Sequence, residues 1–254
     1  MNRVKTFFFV CCILIFLTSC SKDNSKQIEL TISAASSLKE ALQEIEDVYE
    51  KGSSTDIHFN FASSGTLSKQ IQQGAPVDVF LSANLESFEE LVEQGLVLEN
   101  EKRKLLKNDL VLIASSSSSI QSIEDLRKAD KIAIGTPETV PAGDYAKETL
   151  VNLEIWDLLQ DKLIFAKDVR QVLSYVETGN VTAGIVYQTD AKSTDNVRVV
   201  ERFEDSLHSP IVYPVGVLKT ANHQEEAIQF YDFLLKKSAI DIFEKHGFYL
   251  ADEE

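Results

Sequence analysis

The sequence predicts an α/β fold built as two units. Short apolar segments alternate with amphipathic helical ones from Ile28 to Gln94, and the alternation starts again beyond a serine run at 115–119. Strand–helix alternation implies parallel strands covered by helices on both faces. The length suits two units of about 100 residues better than one continuous sheet.

Each element has a local reason. Ile28 to Ser33 reads as a strand, and Ser36 to Lys51 as a helix with Leu38, Leu42, Ile45 and Tyr49 at helical spacing. Asp56 to Ala62 is a strand and Thr66 to Gln73 a helix, followed by a Gly74-Ala75-Pro76 turn. Val77 to Ser82 is a strand, and Leu85 to Gln94 a helix stopped by Gly95. Beyond the strand Leu110 to Ala114, the serine run reads as a surface loop. The second unit has strands at Ile132 to Gly135, Ala183 to Tyr187 and Val197 to Glu201. Its helices are Ala142 to Leu153, Trp156 to Gln160 and Val169 to Thr178. Ile211 to Leu218 is extended, and helices at Asn222 to Lys236 and Ser238 to His246 follow.

The N-terminal segment has the parts of an export signal: Arg3 and Lys5, then a 12-residue apolar run from Thr6 to Leu17. That run is shorter than the roughly 20 residues a membrane-spanning helix needs. Leu17-Thr18-Ser19-Cys20 resembles the lipobox of bacterial lipoproteins, in which the cysteine becomes the lipid-bearing N-terminus. Residues 1–19 are therefore expected to be a signal peptide and 20–27 a lipidated tether. Lipidation at Cys20 would anchor an exported body to the outer face of the membrane.

The cysteines are Cys11, Cys12 and Cys20, so a lipidated mature body has no disulfide, thiolate metal site or cysteine nucleophile. It must stand on its hydrophobic core. The formal net charge is −15, and removing Arg3 and Lys5 leaves 23 basic against 40 acidic side chains, or −17. Such a field excludes binding to nucleic-acid backbones. A small anion remains admissible, because salt screens the field over about 8–10 Å and local dipoles can overcome it.

Four loops lead into helix starts through small residues: 34–37, 61–66, 137–143 and 167–170. The first amides of a helix have no partner within it, and together with the macrodipole they favour anions. Ser37 and Ser64 add neutral donors. Each loop alone reads first as an ordinary helix cap. Ligands of open α/β sheets do, however, gather at the carboxyl ends of the strands.

The ordered motifs carry a resemblance. Ala-Ala-Ser-Ser-Leu-Lys-Glu-Ala-Leu (34–42), Phe-Ala-Ser-Ser-Gly-Thr-Leu (61–67) and Gly-Ala-Pro-Val-Asp-Val-Phe-Leu-Ser-Ala (74–83) come first. Val-Pro-Ala-Gly-Asp-Tyr-Ala (140–146), Asp-Val-Arg (168–170), Gly-Ile-Val-Tyr (184–187) and the closing segment 239–248 follow. In this order and spacing the chain resembles the molybdate-binding proteins of ABC transporters.

The resemblance implies the type II periplasmic-binding-protein fold, two doubly wound α/β lobes joined by two crossing strands. The crossings are expected near Asn108 to Ala114 and Ile211 to Val217. Lobe 1 would hold 28–109 and 216–254, and lobe 2 would hold 110–215. The resemblance implies oxyanion contacts at Ser37, Ser64, Ala142, Val169 and Tyr187, with hydroxyls, backbone amides and one phenol as donors. It implies a monomer without cofactor, whose ligand is molybdate or tungstate and whose partner is a permease with its ATPase. Gly65 departs from the family, in which a third hydroxyl residue often follows the paired serines.

Such donors suit such ligands. Molybdate and tungstate carry no proton at neutral pH, so every ligand oxygen accepts, and a pocket for them is lined by donors. Sulfate has the same charge and shape and is the alternative ligand. An alternative of another class is a surface hydrolase using Ser37 and Lys39, since Ser36-Ser37-Leu38-Lys39 matches Ser-x-x-Lys, but the companion motifs are absent. His58, His208, His223 and His246 lack metal-ligand spacing. Arg170 reads as a helix-surface ion pair.

Overall fold

The computed structural model describes residues 28–116 and 118–251. The expectations for the signal segment, Cys20 and the tether lie outside the described residues.

The first sheet has the strand order β11-β4-β10-β3-β1-β2. Its parallel part is β2 (Thr55–Ala62), β1 (Ile28–Ala35) and β3 (Val79–Leu81). β10 (Val212–Leu218), β4 (Val97–Lys107) and β11 (Tyr249–Leu250) extend it in antiparallel fashion. The second sheet, β7-β6-β8-β5-β9, repeats the design. β7 (Leu163–Ala166), β6 (Ile132–Gly135) and β8 (Ala183–Tyr187) are parallel. β5 (Leu110–Ser115) and β9 (Val197–Arg202) join them antiparallel.

The wholly parallel sheets that strand–helix alternation suggests are thus corrected to mixed ones. The strands next to each crossing run against the parallel set: β5 begins the second sheet and β10 re-enters the first. β10 pairs along its length with β3 and β4, so the boundary expected between 215 and 216 falls inside a strand of the first sheet. Pro214 sits at a register shift of β10, where a missing amide is tolerated.

The helices are α1 (Lys39–Tyr49), α2 (Ser64–Gln72), α3 (Leu85–Glu93), α4 (Pro141–Asn152) and α5 (Trp156–Leu159). α6 (Val169–Glu177), α7 (Gln188–Lys192), α8 (Gln224–Leu234) and α9 (Lys237–His246) complete them. A 3-10 turn, Ser36–Leu38, leads into α1. Strand β4 is not predicted, because Val-Leu-Glu-Asn-Glu-Lys-Arg-Lys-Leu-Leu-Lys lacks alternation. It is a strand because β10 pairs along it, with β11 adding a partner at Leu106 and Lys107. The short elements β7, α7 and β11 are likewise not predicted.

Alternation in β3 sets the layers. Val79 and Leu81 pack into the main core, whereas Phe80 joins a second cluster with Phe88, Leu91 and Val97 under α2 and α3. Each fully buried Leu or Phe contributes about 1.5–3 kcal/mol. Asp78 ties this layer down: its carboxylate accepts from the Thr31 amide (2.7 Å) and the Asn222 amide (2.9 Å).

Candidate functional site

Strand register places the four small-residue loops. Ala35 pairs with Ala62 at the ends of β1 and β2, so the Ser36–Ser37 and Ser63–Ser64 loops emerge side by side. Gly135 pairs with Ala166 at the ends of β6 and β7, which sets the 137–143 loop beside Lys167–Arg170. These are the carboxyl ends where α/β sheets hold ligands. Contacts between the lobes link the two pairs. The Gly65 amide donates to the Thr139 carbonyl at 3.2 Å. Arg170 pairs with Glu40 of α1, and α6 packs on the 3-10 turn that holds Ser37. The four loops therefore form a closed ring.

Each predicted residue is buried in or beside that ring: Ser37, Ser64, Ala142, Val169 and Tyr187 are 0–4% exposed. Ala142 follows Pro141 at the start of α4 and Val169 is the first residue of α6, where amides have no partner within the helix. The start of α4 sits hard on β6, since a Cβ at Gly143 would lie 2.1 Å from the Gly135 carbonyl oxygen. Asp168 caps α6 by accepting from the Gln171 amide at 2.8 Å, and the Gln171 side chain accepts from the Lys167 amide at 2.9 Å. Those side chains leave the Val169 amide free of local capping.

Tyr187 ends β8. Its hydroxyl is fully buried and has no hydrogen-bond partner among the described residues. Its ring stands edge-on to Tyr213 at 5.7 Å, and Tyr213 shares a hydrogen bond of 3.0 Å with Ser37. Burial raises both phenols well above their ordinary value, so both stay protonated.

Arg170 does more than the surface pairing expected of it. Besides Glu40 it reaches the fully buried Asp190 at 3.2 Å and the Ser193 hydroxyl at 3.1 Å. Burial pushes Asp190 up to about 6 against the opposing pull of Arg170. The Ser37–Lys39 pair of the hydrolase alternative is not assembled: the Ser37 hydroxyl bonds Tyr213, and Lys39 is exposed. His246 and His58 face Glu44 and Glu29, and no cluster of potential metal ligands occurs among the described residues. A cavity of about 1070 Å³ lies beside the crossings, lined by Lys107, Asp109, Arg202, Asp205 and Tyr249. It holds none of the five predicted residues.

The profile described as bacterial extracellular solute-binding protein matches residues 30–249. The chain belongs to that family. A Bacillus subtilis relative, provisionally named ABC transporter substrate-binding lipoprotein YvgL, is 47% identical over 231 residues, covering 90% of this chain and 89% of the relative. The molybdate-binding protein ModA of Escherichia coli is 38% identical over 229 residues, covering 87% and 88%. Among solved structures, the substrate-binding domain of a provisionally named molybdenum ABC transporter from Clostridium difficile is 46% identical. It superposes with a TM-score of 0.69, covering 89% of this chain and all of that one. The periplasmic molybdate-binding protein of Azotobacter vinelandii is 23% identical with a TM-score of 0.80, covering 88% and 100%, and supports the fold. Among the described residues of this solute-binding protein, no helix is long and apolar enough to cross a membrane.

Sequence reasoning missed Tyr213, Asn108 and Thr139. Tyr213 lies in a strand read only as apolar and extended, and Thr139 acts through its carbonyl, which no side-chain motif announces. Asn108 reads in the sequence only as the start of a crossing.

Proposed function

We propose that this solute-binding protein captures molybdate or tungstate between its lobes and delivers it to the permease of an ABC transporter. Ser37, Ser64, Ala142, Val169 and Tyr187 hold the anion, and lipid on Cys20 holds the protein at the outer face of the membrane. One observation carries the reading: the protonated Tyr187 hydroxyl is fully buried without a hydrogen-bond partner among the described residues, next to the Tyr213 ring whose hydroxyl bonds Ser37. A buried donor without a partner is costly, and an oxyanion accepting from it removes that cost. Serine hydroxyls and helix amides complete a lining of donors, which matches a ligand that can only accept.

The relatives' names support the choice of molybdate. Sulfate is the second reading, because it has the same charge and shape. No turnover is part of this function. The anion would bridge helix starts of both lobes and so favour their closure, provided it binds the closed form better than the open one. Calorimetric titration of the delipidated body with molybdate, tungstate, sulfate and phosphate tests the reading. Stoichiometric binding of molybdate or tungstate well ahead of sulfate is expected. Equal or tighter sulfate binding would overturn the assignment.

A further inference from the structure

We propose that Tyr213 is a positioning residue: oriented by Asn108, it donates to Ser37 and thereby fixes Ser37 as a donor to the ligand. The inference rests on the oxyanion reading above and adds residues to it.

The direction of each hydrogen bond follows from its neighbours. The Asp109 backbone amide donates to Asn108 Oδ1 at 2.9 Å. A backbone amide can only donate, so that end of the Asn108 side chain is the carbonyl. Asn108 Nδ2 then donates to Thr189 Oγ1 at 2.8 Å and to the Tyr213 hydroxyl at 3.2 Å. Tyr213 accepts from Asn108 and has one proton to place. Among the described residues its other partner is Ser37 Oγ, at 3.0 Å. Were Ser37 to donate as well, the phenolic proton would have only the neighbouring Tyr187 hydroxyl to turn to, with which no hydrogen bond of proper geometry forms, in a site where Tyr213 is 1% exposed. Tyr213 therefore donates to Ser37, and the Ser37 proton is left for the ligand.

Ser64 follows the same rule by a shorter route. The Ala83 amide donates to its Oγ at 2.8 Å, which frees the Ser64 proton. Tyr187 has no such inner donor and is not part of the proposal. Two loops of fixed polarity match molybdate and sulfate. Hydrogen phosphate brings a hydroxyl that must itself donate, and each serine, already accepting from an inner donor, offers it only its second lone pair.

The test uses calorimetry at pH 8 on the wild type, Tyr213→Phe, Ser37→Ala and the double variant. Molybdate is titrated directly, and sulfate and phosphate are read by competition against it. Tyr213→Phe should weaken molybdate and sulfate by about 3- to 10-fold and phosphate by less, lowering the molybdate-to-phosphate ratio. In the Ser37→Ala background, Tyr213→Phe should change that ratio no further. Equal loss for all three anions, no loss at all, or an undiminished effect without Ser37 would each overturn the relay. A wild type that binds no molybdate would instead overturn the function proposed above. Should Tyr213→Phe fail to fold, Asn108→Ala frees Tyr213 to reverse and should shift the ratio in the same direction. An unchanged ratio there overturns the proposal.

Discussion

The Gly65 amide donates to the Thr139 carbonyl across the cleft, joining the second serine loop of one lobe to the Val-Pro-Ala loop of the other. A Cβ at Gly65 would stand 2.8 Å from that oxygen and 3.0 Å from the Thr139 Cα. The residue that departs from the family's hydroxyl pattern is the one that lets the lobes meet here. A side chain at 65 would have to push Thr139 back before the loops could close.

Gly65→Ser should therefore weaken molybdate binding. Overpacking of about 1–3 kcal/mol corresponds to roughly 5- to 150-fold. Small-angle scattering should show the ligand-saturated variant more open than the wild type. Wild-type affinity and compaction in the variant would refute a closure role for Gly65.

The Glu40–Arg170–Asp190 chain should respond unequally along its length. Glu40 and Arg170 are partly exposed, at 34% and 24% of the side chain, so Glu40→Gln should cost about 0.2–1 kcal/mol of closure and lose still less at high salt. Arg170→Met leaves Asp190 buried without its cation and should cost about 3–5 kcal/mol of stability. Adding Asp190→Asn should recover part of that loss. Denaturant unfolding of the three variants checks the order, and equal costs for Glu40→Gln and Arg170→Met would contradict it.

Asp190 also predicts a pH dependence. Its folded value, about 6, lies above its ordinary 3.8, so the folded protein keeps the proton that the unfolded chain releases. The contribution of Asp190 to stability therefore falls as pH rises from about 4 to about 6 and levels off above. Relative to the wild type, Asp190→Asn should gain on the order of 1 kcal/mol between pH 5 and pH 8. Unfolding of the ligand-free proteins at both pH values measures it, and a difference that moves the other way rejects the assignment.

The pocket donors should separate binding from stability. Tyr187→Phe removes a hydroxyl with no internal partner, so the ligand-free protein should lose no stability. Molybdate binding should still weaken about 10- to 150-fold, the loss of one hydrogen bond to a charged group. Ser64→Ala should weaken binding similarly and also destabilise the free protein, because the buried Ala83 amide loses its acceptor. Lys39→Ala should be close to neutral. If Lys39→Ala were as damaging to binding as Ser37→Ala, the donor pocket would be the wrong description.

Cys20→Ser should abolish incorporation of labelled fatty acid and reduce membrane retention, while the purified body keeps its anion affinity. Undiminished labelling would place the lipid elsewhere.

The sequence by itself determined the strand–helix order, most of the helices and the four loops, because these depend on hydrophobic period and capping within a few residues. The motif order also reached the five candidate ligand residues. Tertiary structure alone decided the rest. β4 is a strand because β10 lies against it, although its own charges deny the pattern. The sheets are mixed because the strands flanking the crossings run against the parallel set. Gly65 touches Thr139, Glu40 meets Arg170, and Tyr213 reaches Ser37 over separations of 74, 130 and 176 residues. Such contacts leave no local period or spacing to read; they exist only once both sheets are built and their loop ends face one another.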